Sequence, residues 1–98
     1  MARKVIWTKR AIHKFNKIVD YLERDWGDNV TRNFVIKTYD IIELISDQSE
    51  LGTLENQEKQ IRGFVLTKHN RLFYRVTKED IIILNFFDTR SDPKRKRD

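Results

Sequence analysis

Ile12, Phe15, Val19, Leu22 and Trp26 recur at spacings of 3, 4, 3 and 4. After Gly27 and Asp28 a second stripe of the same kind follows, with Val30, Phe34, Thr38, Ile41 and Ile45. Each stripe is one face of an amphipathic helix. A link of two or so residues leaves such helices one arrangement, an antiparallel hairpin. Thr8 is placed to cap the first helix with its hydroxyl. Gly27 is placed to end it in a left-handed conformation, and Asp28 to cap the second. The hairpin is therefore expected over Thr8–Gln48, with Ala11, Ile18, Val35, Ile42 and Leu44 widening the two stripes.

Beyond the hairpin the period changes to two. Gln60–Leu66, Arg71–Thr77 and Ile81–Asp88 are β-branched and aromatic runs, which read as three strands of an antiparallel meander. Arg3–Trp7 reads as a strand ahead of the helices, and Ser46–Gln60 as a polar loop. A four-residue turn at Thr67–Asn70 would pair Phe64 with Phe73 and Arg62 with Arg75. It would turn Ile61, Gly63, Val65, Leu72, Tyr74, Val76, Ile82, Leu84 and Phe86 toward the helices, with Gly63 making room for the Tyr74 ring. The expected fold class is α+β: an N-terminal strand and a helical hairpin packed on a three- to four-stranded antiparallel sheet. With 98 residues this is one domain, expected over residues 1–90, with a basic mobile tail at 91–98.

Charge is uneven. Net charge is +5. Lys59, Arg62, Lys68, Arg71, Arg75 and Lys78 fall in a stretch that holds no acid. Such a one-signed stretch favours an anionic partner. In the register above, the second sheet face carries Arg62, Phe64 and Leu66 on the first strand of the meander, Arg71, Phe73, Arg75 and Thr77 on the second, and Ile83, Asn85 and Phe87 on the third. There Arg62 and Arg75 would be like charges directly opposite, which destabilise a strand pair. Either a carboxylate or an anionic ligand must separate them, and the aromatics beside them suit stacking. The alternative is a small second core of Phe64, Phe73 and Phe87 with arginine stems laid around it.

Other chemistries find little support. There is no cysteine, so no disulfide and no thiol nucleophile. Gly27, Gly52 and Gly63 are isolated, so there is no phosphate-binding glycine loop. His13 and His69 lack partners at metal-ligand spacing, and neither a metal nor a cofactor is expected. No apolar run approaches a membrane span or a signal peptide, which sets the expectation of a cytoplasmic protein with no membrane partner.

Val5-Ile6-Trp7-Thr8 with Ala11, Ile18 to Tyr21-Leu22, Glu50-Leu51-Gly52, Ile61-Arg62-Gly63-Phe64, Leu72-Phe73-Tyr74-Arg75-Val76 and Ile83 through Arg90-Ser91-Asp92-Pro93 stand in an order that resembles the RelE/ParE superfamily of bacterial type II toxins. The loop motif lacks the usual proline. The resemblance implies a growth-inhibiting toxin neutralised by a cognate antitoxin, alone as a homodimer or within a toxin–antitoxin hetero-oligomer. It carries over Arg62, Arg75 and Arg90 as the basic positions of the last strands. RelE-like members cleave mRNA on the ribosome without a metal, whereas ParE-like members poison DNA gyrase. Nuclease members usually hold a His or Tyr near the C-terminus or a Glu or Lys set on the sheet. Here Asp88 stands where a His is common, and Lys59, Lys68, His69 and Asp88 are the remaining proton carriers. Arginine is a poor proton acceptor. The reading leans to the ParE-like branch, with an RelE-like nuclease as the alternative and a degenerate toxin that only binds antitoxin as the third. Target- or antitoxin-binding residues are expected among Arg62, Arg75, Arg90, Arg71, Phe64, Phe73, Phe87, Asn85, Asp88, Lys59 and Lys68.

Overall fold

The computed structural model describes residues 2–89. A short strand β1 (Lys4–Trp7) leads into α1 (Lys9–Trp26) and α2 (Asp28–Asp47), followed by β2 (Thr53–Asn56), β3 (Ile61–Thr67), β4 (Asn70–Val76) and β5 (Asp80–Asp88). One sheet holds all five strands in the order β1-β5-β4-β3-β2. Arg90 and the tail 91–98 lie outside the described residues.

The hairpin forms where the sequence puts it. The Thr8 hydroxyl accepts the Ala11 N–H at 3.0 Å and lies 3.1 and 3.2 Å from the Ile83 and Leu84 carbonyls. One side chain thus starts α1 and ties its start to β5. Gly27 adopts φ +91°, and its N–H closes on the Leu22 carbonyl at 3.0 Å. A side chain there would be strained. Gly27 is also the N-cap of α2. Asp28 does not cap; it is the first helical residue, with its charge in the first turn. Phe15, Ile18 and Leu22 of α1 and Phe34, Ile42 and Ile45 of α2 are buried in the core. Ile12 and Trp26, expected in the stripe, are about half exposed; the Trp26 indole N–H donates to the Tyr21 hydroxyl at 3.2 Å.

The sheet differs from expectation in strand count and register. β1 is parallel to β5. β2 emerges from the segment expected to be a loop and pairs with β3. All four of its residues are exposed, so a strand at this edge carries no apolar alternation to be read. The β3–β4 turn is shorter than expected: Thr67 pairs with Asn70, and the Thr67 hydroxyl accepts the His69 and Asn70 N–H groups at 3.1 Å. The ladder then shifts between Val65 and Thr67. Below that bulge every pair moves by one residue: Phe64 faces Leu72, and Arg62 faces Tyr74 rather than Arg75.

A slip of one residue turns a whole strand over. Leu66 is buried and Phe64 packs on the core, while Val65 is 59% exposed. A second bulge leaves Leu84 unpaired between Ile83–Tyr74 and Asn85–Phe73. Ile81 and Ile83 are therefore the core residues before it and Phe86 after it, rather than Ile82 and Leu84. Leu72 and Tyr74 are buried as expected. Trp7, Phe15, Phe34, Tyr39 and Phe86 join helices and sheet through ring contacts of 5.2–6.1 Å.

Candidate functional site on the open face of the sheet

The helices cover one face of the sheet, and strand alternation places Arg71, Phe73 and Arg75 on the other. The Arg71 guanidinium lies over the Phe73 ring, 5.1 Å from its centroid. Its Nη2 donates to the Glu55 carboxylate at 3.1 Å. Gly63 sits beneath this arrangement. A Cβ there would stand 3.0 Å from both Arg71 Nη2 and Glu55 Oε2 and 3.1 Å from Phe73. Gly63 therefore makes room for an ion pair bridging β2 to β4 across β3, not for Tyr74. Both partners are partly solvated, so the pair contributes about 0–1 kcal/mol. Its consequence is position: it holds the guanidinium over the ring. Arg71 Nε is buried with no acceptor.

Arg75 lies opposite Ile61 and Ile82 and is exposed. Phe87 lies opposite Arg71 and Asn85 opposite Phe73. The open face thus brings together Arg71, Arg75, Phe73, Asn85 and Phe87, with Glu55 supplied by β2.

Other expected site residues are elsewhere. Phe64 packs on the core. Lys59 and Lys68 are exposed in turns. Asp88 is buried and accepts the Asn70 amide, joining the end of β5 to the β3–β4 turn. His69 Nδ1 lies 3.3 Å from the Thr89 hydroxyl. Arg62 is on the helix side of its strand, so the like-charge pair with Arg75 does not form. Its Nη1 donates to the Gly52 carbonyl at 2.7 Å and reaches that of Glu50 at 3.4 Å. Beside it, the Tyr74 hydroxyl accepts the Gly52 N–H at 2.8 Å and donates to the Ser49 carbonyl at 2.9 Å. Burial pushes that hydroxyl above the usual tyrosine value, partly offset by the Gly52 bond and the Arg62 charge. A Cβ at Gly52 would come within 2.8 Å of both the Gly63 carbonyl and the Tyr74 hydroxyl. Glu50-Leu51-Gly52 is thus a latched loop that needs its glycine.

Sequence reasoning missed Glu55. Its signal is absent because the segment around it reads as loop. Among the described residues no group of three or more His, Cys, Asp or Glu side chains is arranged to hold a metal ion, and no helix is long and apolar enough to cross a membrane.

A hairpin backed by a mixed five-stranded sheet, with arginines and aromatics on the open side, is the α+β architecture of the RelE/ParE toxins. The family model described as ParE toxin of the type II toxin–antitoxin system parDE matches residues 5–93. The chain belongs to that family. Solved structures agree in fold. A chain of the chromosomal ParDE system from P. aeruginosa superposes with a TM-score of 0.71 at 17% identity, covering 89% of this chain and 96% of that one. The YoeB/ParE toxin from Agrobacterium tumefaciens gives 0.62 at 16%, covering 87% and 97%. The isolated E. coli RelE toxin gives 0.55 at 16%, covering 98% and 94%. No curated protein matches the sequence.

Proposed function

We propose that this chain is a growth-inhibiting toxin held inactive by an acidic antitoxin, and that it acts in the ParE manner, by binding DNA gyrase rather than by cutting RNA. The observation carrying the choice is the company the open-face arginines keep. Metal-free RNA cleavage needs a proton acceptor beside the cations. Glu55 is the carboxylate beside Arg71, and it is engaged by that guanidinium. Tyr74 is buried on the opposite face. What remains is a cationic and aromatic binding surface, suited to capture an acidic protein segment. The antitoxin and the target would both use it, which is why one excludes the other.

The second reading, a ribosome-dependent endoribonuclease, draws on the same pair: if substrate phosphate draws Arg71 away, Glu55 becomes an available base. Expression of the chain without antitoxin separates the two. Gyrase-linked DNA breaks with an SOS response are expected. Ribosome-dependent mRNA cuts without such breaks would overturn the reading.

A further inference from the structure

A hollow of about 440 Å³ opens on the same face of the sheet, beside the start of α1, lined by Thr8, Arg10, Ile61, Phe73, Leu84 and Asn85. Three independent features converge on it. The first is the β5 bulge. Alternation alone would put only one of Leu84 and Asn85 on this face, yet with Leu84 unpaired in the ladder both line the hollow. Bulges of this kind re-aim side chains next to sites.

The second is charge. The first turn of α1 contains Lys9 and Arg10 and no acid. Cations at a helix N-terminus oppose the helix dipole, so helix stability does not call for them. Arg75, exposed, stands opposite Ile61 on the same face of the sheet and adds to its positive charge. Among the described residues no carboxylate lines the hollow.

The third is the floor. Ile61, Phe73 and Leu84 give an apolar surface that includes one aromatic ring. Asn85 Oδ1 accepts the Phe86 N–H at 2.9 Å, which fixes the amide and leaves its Nδ2 to donate. An apolar floor with a few oriented polar groups, in this size range, is the usual make-up of a small-ligand site.

We propose that this hollow binds a nucleotide. The base lies on Phe73 and between Ile61 and Leu84, Asn85 Nδ2 donates to an acceptor on the base edge, and Arg10 holds the phosphate. A planar heteroaromatic ring joined to an anion answers all three features together, whereas a bare anion would leave the apolar floor wet. The proposal does not depend on whether the cellular target is gyrase or mRNA.

The test is an amide-resolved NMR titration of the full chain with AMP, adenosine, inorganic phosphate and a short acidic peptide as separate probes. AMP is expected to shift the Arg10, Phe73, Leu84 and Asn85 amides saturably, with adenosine and phosphate each binding about tenfold more weakly or less. Arg10→Gln, at an exposed helix position, is expected to weaken AMP about tenfold, as loss of a charge-assisted bond should, and to leave the thermal melt unchanged. Arg32→Gln, on exposed α2 surface, is expected to change nothing. An adenosine dinucleotide identifies the source: equal affinity supports a free nucleotide, tighter binding supports a unit of a strand, and both support the site. The proposal is overturned if AMP shows no saturation, if phosphate binds as tightly as AMP, or if the acidic peptide alone saturates these amides.

Discussion

Replacing Tyr74 by Phe isolates the latch on the Glu50–Gly52 loop. The ring is fully buried, and phenylalanine keeps its volume, so no cavity forms. What is lost is one hydroxyl that accepts the Gly52 N–H at 2.8 Å and donates to the Ser49 carbonyl at 2.9 Å. Gly52 is itself buried, so its N–H is left without an acceptor. An intramolecular hydrogen bond contributes about 1 kcal/mol net, and an orphaned buried donor costs about 1–3 kcal/mol. The expected loss is about 2–3 kcal/mol. For a domain of this size each kcal/mol lowers Tm by roughly 4–8 °C, so circular dichroism melts should show a fall of about 8–24 °C. Urea titration should give a lower midpoint at an unchanged slope. A pH series adds a signature. Because burial raises the hydroxyl above its ordinary value, its contribution is fully present below about pH 10 and is lost as pH rises through the folded value. Wild type should therefore lose stability more steeply above that pH than Tyr74→Phe. A loss below about 0.5 kcal/mol, or parallel alkaline profiles, would refute the latch.

The two arginines expected to act as a pair should separate. Arg62→Gln breaks bonds to the loop carbonyls and is expected to cost about 1–2 kcal/mol, while Arg75→Gln is expected to leave the melt unchanged and reduce growth inhibition in cells lacking antitoxin. Register can be read from denaturant midpoints: Ile83→Ala should cost about 2–5 kcal/mol and Val65→Ala within about 0.5 kcal/mol of nothing, and the reverse order would restore the unshifted ladder. Gly63→Ala places a methyl 3.0 Å from the tips of Arg71 and Glu55; as flexible ends they can move, so growth inhibition, scored in cells lacking antitoxin, should fall with little change in Tm. Association with an acidic antitoxin should slow as salt rises; an on-rate flat in stopped-flow between low and high salt would count against electrostatic capture.

The helical hairpin was legible because its causes are local. A stripe of period 3.6, a hydroxyl at Thr8 and a glycine at Gly27 act over a few residues, and no distant partner is needed to read them. The basic run from Lys59 to Lys78 was equally visible, as was the alternation of β4, with Leu72 and Tyr74 inward and Phe73 and Arg75 outward. The faces of β3 and of the first half of β5 were not. Each depends on one extra residue, at the bulges beside Leu66 and at Leu84. Bulge placement is set by how the Thr67 hydroxyl closes the turn and how neighbouring strands pair. A period of two has no tolerance for an error of one. Nor could the sequence show β2, whose exposed edge carries no pattern, or the parallel pairing of β1 with β5, which joins segments more than seventy residues apart. The open face follows the same division. Its arginines and aromatics come from adjacent strands and could be listed from the chain. Glu55 against Arg71, Arg10 and Asn85 around one hollow, and the diversion of Arg62 to a loop join distant segments, and those only the packed sheet decides.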